Sequence, residues 1–206
     1  MLTPHPASAR LAAAMRHCLA HAKPWAGDVF RVTDSTYANL RDVTSGEGAR
    51  QAGARWNPKG SFRTLYFSLT PETALAEVLA HRRSQNVPDA ETTPVTLIAC
   101  HVQVTRVLDL TDRGIRRLLG ITVGQVTGEP WRAVQHGGQE ALTQAIGRLA
   151  CEAGIEGLLV PSAARAKAAN LVLFPDQLTA DQLAVVHPEK LPKFRRRGRG
   201  RKKKKP

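Results

Sequence analysis

Gly53-Ala54-Arg55-Trp56-Asn57, Leu65-Tyr66-Phe67-Ser68 and Thr70-Pro71-Glu72-Thr73-Ala74-Leu75-Ala76-Glu77-Val78-Leu79-Ala80 follow one another in residues 53–80. The middle piece reads as a short strand over 64–68. Thr70 and Pro71 read as the N-cap and first residue of a helix running to about Arg82. A threonine hydroxyl can accept one of the orphan N–H groups there, and the fixed φ and missing N–H of proline both suit the first turn. Charges interrupt what is otherwise built for burial. On a helix, Glu77 has Thr73, Ala74, Ala80 and His81 three and four residues away, none of them Lys or Arg. Its carboxylate therefore faces solvent or meets a cation from elsewhere in the fold. Arg55, just ahead of Trp56, has two plain explanations, a surface salt bridge or a cation stacked on the indole.

Working outward, Leu11, Met15 and Leu19 recur at helical spacing and predict a helix over 7–21. Val29-Phe30-Arg31-Val32 reads as a strand whose Arg31 could simply snorkel from an edge. A polar connection rich in Gly and Ser follows. Beyond it, 95–104 and 107–110 read as two strands, and 111–138 shows no clear period. Residues 139–153 read as a helix with Leu142, Ile146, Leu149 and Ala150 on one side and Gly154 as its stop. Gly157-Leu158-Leu159-Val160 is a buried strand leading to Pro161-Ser162-Ala163, and 171–174 is another. Strands and helices do not alternate regularly, so the expected class is α+β, a single domain with mixed central sheets flanked by helices. The glycines match neither a dinucleotide fingerprint nor a P-loop.

With 206 residues and 42% hydrophobic content the chain can bury one proper core. No apolar run is long enough for a bilayer and no continuous hydrophobic stretch resembles a secretory signal, so a cytoplasmic, membrane-free protein is expected. The acid-free start has the look of a mitochondrial presequence, but a packing helix explains it equally well and is preferred. Cys18, Cys100 and Cys151 are widely spaced and read as reduced, buried thiols; the histidines are scattered, and no metal is expected. The net charge of +13 is concentrated at one end: ten Lys or Arg and no acid lie in 193–206, leaving +3 on the first 192 residues. Such a run cannot pack. It is expected to be disordered, serving solubility or contacting nucleic acid or another acidic partner.

The order of the pieces resembles the RES domain family, named for an Arg, a Glu and a Ser. The resemblance is carried by Phe30-Arg31-Val32, Gly53-Ala54-Arg55-Trp56-Asn57, Leu65-Tyr66-Phe67-Ser68, Ala74-Leu75-Ala76-Glu77-Val78, Val107-Leu108-Asp109-Leu110-Thr111, Gln144-Ala145-Ile146-Gly147-Arg148 and Gly157-Leu158-Leu159-Val160-Pro161-Ser162-Ala163. Ala54 stands where many relatives have a second glycine. The resemblance implies a fold similar to the ADP-ribosyltransferases. It further implies a toxin that degrades NAD by hydrolysis or phosphorolysis, paired with an Xre-like antitoxin that covers its active site. Transfer of ADP-ribose to a protein is the alternative it leaves open.

On that match Arg31, Glu77 and Ser162 are the name-giving, catalytic residues, with Arg55, Tyr66 and Asn170 joining Arg31 in the NAD pocket. Breaking the nicotinamide–ribose bond passes through an oxocarbenium-like state, which a carboxylate stabilises while guanidinium forks grip the phosphates. Tyr66 would offer its ring to nicotinamide, and Ser162 a hydroxyl to ribose or phosphate. The implied layout is an N-terminal helix over 1–27 packed on the domain, a RES domain over 28–188 and a basic tail over 189–206. The competing reading, from the tail, is a nucleic-acid-associated binding module without turnover.

Overall fold

The computed structural model describes residues 2–88 and 94–191. In chain order, α1 (Ser8–Cys18) leads into β1 (Lys23–Asp34), two short helices α2 (Leu40–Ser45) and α3 (Glu47–Ala52), then β2 (Leu65–Ser68) and α4 (Pro71–Arg83). There follow β3 (Val95–Asp109), α5 (Arg113–Leu119), α6 (Val123–Gly128), α7 (Trp131–His136), α8 (Leu142–Glu152), β4 (Gly157–Pro161), β5 (Ala169–Leu173) and β6 (Leu183–Val185). The expected basic tail lies, from residue 192 onward, outside the described residues.

The strands form one mixed sheet in the order β1-β2-β5-β4-β3-β6, and β1 also pairs with β3. Five of them therefore close into a ring, with β6 attached to the free stretch of β3. The class is α+β, with helices flanking the sheet, but one sheet closed on itself replaces the several sheets expected. The cause is β3, fifteen residues long. One edge runs antiparallel to β1 from Val95 to Val107; the other meets β6 at Cys100–Val102 and runs parallel to β4 at Val107–Asp109. Expected as two strands, it is continuous through Thr105 and Arg106. At that partner change both backbone N–H groups donate to Glu156 Oε2, at 2.5 and 3.1 Å, so the edge stays satisfied.

Period-two alternation divides the core. Leu65 and Phe67 of β2, Leu171 and Leu173 of β5, and Ile98, Cys100, Val102 and Val104 of β3 form one cluster with Val29. The alternate positions Leu158 and Val160 of β4, with Val172 and Phe174, pack in a second cluster beneath Leu11, Met15, Ile115, Leu119, Ile146 and Ala150. Tyr66 packs against that helix-facing cluster. The three cysteines are buried and free. No helix among the described residues is long and apolar enough to cross a membrane.

The helix ends follow local chemistry. Thr70 Oγ1 accepts from Thr73 N at 3.2 Å and Pro71 opens α4, as read from sequence. Gly154 (φ +72°) follows the end of α8 as its stop. At the front of α8 the Glu129 carboxylate accepts from Leu142 N and Thr143 N, at 2.7 and 3.0 Å. A negative charge there also favours the helix dipole.

Candidate active site

The helix-facing row of the sheet changes character at its end. Two residues beyond Tyr66 comes Ser68, two beyond Val160 comes Ser162, and two before Val172 comes Asn170, so the same alternation that buries the core lines up three polar side chains. Ser68 is the register partner of Asn170, and Val160 faces Asn170 from the other side. Ser68 Oγ donates to Asn170 Oδ1 at 2.7 Å, which fixes the amide with its nitrogen outward.

Helix α4 packs over this row against β1 and β2 and lowers Glu77 onto it. Glu77 Oε1 accepts from Asn170 Nδ2 at 2.6 Å and from Ser162 Oγ at 2.7 Å. Both are charge-assisted bonds to one oxygen. Glu77 Oε2 has no hydrogen-bond partner among the described residues. Ser162, buried just past the end of β4, also accepts from Ala164 N and Arg165 N, at 3.2 and 3.0 Å. With its hydroxyl hydrogen donated to Glu77 and its lone pairs engaged by the loop, Ser162 is placed to hold the carboxylate from behind.

Above Glu77 opens a cavity of about 550 Å³, within the ~300–1,000 Å³ of small-molecule pockets. Ala74 and Ala80 on α4, and Ala49, Ala52, Gly53 and Ala54 opposite, make it roomy by being small. Arg31, Arg55, Tyr66, Glu77 and Asn170 all line it; Ser162 lies behind Glu77, and its loop neighbours Ala163 and Ala164 reach the wall. Among the described lining residues Glu77 is the sole carboxylate.

Each arginine is aimed by the backbone. Arg55 Nη1 donates to the carbonyls of Val126 and Glu129, both at 3.2 Å. Burial lowers its pKa from the usual arginine range, and the Glu77 charge opposes that shift most strongly. Arg31 follows Phe30, the one residue of β1 in register with β2, opposite Ser68. Its Nη1 makes a long 3.4 Å contact with the Val43 carbonyl, and burial lowers its pKa too, with Cys100 and Asp42 pulling back. Both remain cations, as arginine does in proteins.

The loop bearing Arg55 is braced from three sides. Tyr66 Oη accepts from Trp56 N at 3.0 Å and donates to Asn57 Oδ1 at 2.8 Å, while burial pushes the phenol pKa up and keeps it protonated. Gln144, fully buried on α8, donates from Nε2 to the Ala54 carbonyl at 3.0 Å. Gly147 then lets α8 approach so closely that a Cβ there would strike the Trp56 carbonyl. Tyr66 therefore has a hydroxyl committed to the loop and a ring on the cavity wall.

A model of the family described as the RES domain matches residues 28–194. The chain belongs to the RES domain family. NAD(+) phosphorylase MbcT of Mycobacterium tuberculosis (strain ATCC 25618 / H37Rv) is 30% identical over 141 residues, 68% of this chain and 69% of that protein; the protein of the same name from Mycobacterium bovis matches equally. Among solved structures, a chain of the M. tuberculosis MbcT–MbcA toxin–antitoxin complex superposes with a TM-score of 0.68 at 25% identity, covering 85% of this chain and 88% of that one.

Beyond the residues legible in sequence, this RES domain places three more at its cavity. Arg132 lies over the Trp131 ring at 4.4 Å, and its Nη2 bonds His81 Nδ1 at 2.6 Å. Since a guanidinium only donates, His81 accepts at Nδ1 and carries its proton on Nε2. Burial, then Arg132 and Arg82, lower the His81 pKa, in keeping with a neutral ring, although its outer edge stands in solvent. The region 111–138 had no readable period because α5, α6 and α7 are six or seven residues each, under two turns. The available signal was Pro130, which stands at the N-cap of α7 directly before Trp131-Arg132. No group of three or more His, Cys, Asp or Glu among the described residues is disposed to hold a metal ion.

Proposed function

We propose that this chain is the toxin of a toxin–antitoxin pair and destroys NAD by breaking its nicotinamide–ribose bond, with phosphate as the acceptor of the ADP-ribose. The observation that carries this is the half-held Glu77 carboxylate, one oxygen bound by Ser162 and Asn170 and the other open to a cavity flanked by guanidiniums. Kinship with proteins named NAD(+) phosphorylase supports the substrate.

In this reading Glu77 Oε2 accepts a ribose hydroxyl, and the carboxylate stabilises positive charge developing at C1′. As the C1′–N1 bond breaks, its electron pair goes to the nicotinamide nitrogen and discharges the pyridinium. The leaving group departs neutral, so no general acid is needed, in accord with a cavity whose described lining holds one carboxylate. A phosphate oxygen then bonds C1′, giving ADP-ribose 1-phosphate. Phosphate arrives already anionic. Water would need a base, and Glu77 has one oxygen saturated and the other on ribose. Arg31 and Arg55 supply the planar forks for phosphate oxygens, and the Tyr66 ring flanks nicotinamide.

The fold is a variant of the ADP-ribosyltransferase type, its site lying at the polar end of the strands. A helix-turn-helix antitoxin of the Xre type covers the cavity mouth, and the chain acts in the cytoplasm, where it meets NAD. The test is expression in a bacterial host without antitoxin. Growth should stop as cellular NAD falls, and Glu77→Gln at equal abundance should leave both unchanged. Growth arrest with a full NAD pool would refute the proposal.

A further inference from the structure

Arg55 and Arg132 are a pair of like charges. Both line the cavity, and Arg55 Nη1 bonds the Glu129 carbonyl, three residues before Arg132, whose charge opposes its own. Neither forms an ion pair with a carboxylate among the described residues. Arg132 is held by Trp131 beneath and His81 beside it. Arg55 uses Nη1 for the Val126 and Glu129 carbonyls, and its Nε and Nη2 make no hydrogen bond among the described residues. Two half-buried guanidiniums set together, each with donors to spare, repel unless an anion lies between them.

Arg31 is a separate pole: its Nη1 reaches the Val43 carbonyl of α2, whereas Arg55 is anchored on the carbonyls of Val126 and Glu129, just ahead of Arg132 in the chain. The cavity thus has two cationic regions, and the paired one adjoins the catalytic carboxylate: His81, which holds Arg132, stands four residues after Glu77 on one face of α4, about 6 Å along it. Among the described lining residues, three guanidiniums against one carboxylate leave a surplus of two positive charges. NAD, with two phosphate charges opposed by its pyridinium, offsets only about one of them; inorganic phosphate adds about −1.5 to −2 more.

We infer that Arg55 and Arg132, with His81 and Trp131 holding the latter, form a second anion site that takes inorganic phosphate beside the ribose, while Arg31 serves the pyrophosphate of NAD. The site rests on the proposed NAD chemistry for its role, and on the paired guanidiniums alone for its existence. Arg132 is a specificity residue for the acceptor. Bound phosphate would offer one oxygen to C1′ and keep the others on the two forks.

Two measurements on the full chain separate the readings. Calorimetric titration of inorganic phosphate into Glu77→Gln protein, with and without NAD, should show saturable binding that Arg132→Gln in the same background weakens about tenfold or more, with Arg132→Lys between them. In otherwise wild-type enzyme, Arg132→Gln should raise KM for phosphate by a similar factor and shift KM for NAD less than about twofold; unchanged circular dichroism checks folding. A rise in KM for NAD with KM for phosphate unmoved would place the pyrophosphate at Arg132 and overturn the inference. So would absence of saturable phosphate binding in both titrations. If the wild type consumed no NAD, the proposed function would fall, and the titration would still decide the anion site.

Discussion

Replacing Ser162 by alanine removes the 2.7 Å bond that the hydroxyl donates to Glu77 Oε1, leaving that oxygen to Asn170 alone. A hydrogen bond to a charged group contributes about 1.5–3 kcal/mol. Were all of it spent on aiming the carboxylate in the transition state, kcat would fall by about tenfold to about 150-fold, at about 1.4 kcal/mol per decade. The loop N–H groups of Ala164 and Arg165 lose their acceptor as well, but they lie near the wall of an open cavity and can turn to water. KM for NAD should change little, because Ser162 does not itself line the cavity. Steady-state release of nicotinamide by Ser162→Ala, beside Glu77→Gln, measures this directly. A kcat within twofold of wild type would refute the positioning role. A loss as deep as that of Glu77→Gln would mean that the hydroxyl touches the reacting atoms.

The loop carrying Arg55 yields further tests. Gly147→Ala drives a methyl into the Trp56 carbonyl and should cost about 1–3 kcal/mol, seen as a melting temperature lower by several degrees; an unchanged melting curve would show that α8 does not press on the loop. Tyr66→Phe leaves Trp56 N and Asn57 Oδ1 without their shared partner and should destabilise by about 1–3 kcal/mol in chemical denaturation, while retaining part of the activity because the ring stays on the wall. Asn170→Asp sets a carboxylate at the 2.6 Å amide contact with Glu77, and should lower kcat more than Asn170→Ala does, through like-charge repulsion rather than loss of a bond.

Much of this was written in the chain where local pattern and packing agree. Thr70-Pro71 started α4 as read, and the apolar strands around Tyr66, Leu158 and Val172 were correctly placed because alternation follows burial. Arg31, Arg55, Tyr66, Glu77 and Asn170, distant in sequence, do meet around one cavity. Their order was visible, but the place of Ser162 behind Glu77 was not, since spacing cannot say which way a hydroxyl points. Ring closure was also hidden. It depends on β3 continuing through Thr105 and Arg106 with help from Glu156, fifty residues away, and no local window contains that bond. Arg132 and His81 escaped because the helix α7 is too short to show a period, and because His81 looked like one more scattered histidine until Arg132 came to rest on it.

Phosphorus NMR of NAD incubated with the purified chain and inorganic phosphate tests the central claim most directly. The pyrophosphate resonances of NAD should shift as nicotinamide is released, and a new phosphomonoester signal should grow in equal amount, with no turnover in Glu77→Gln. NAD that stays intact at every phosphate concentration, with the protein folded and free of antitoxin, would contradict the account.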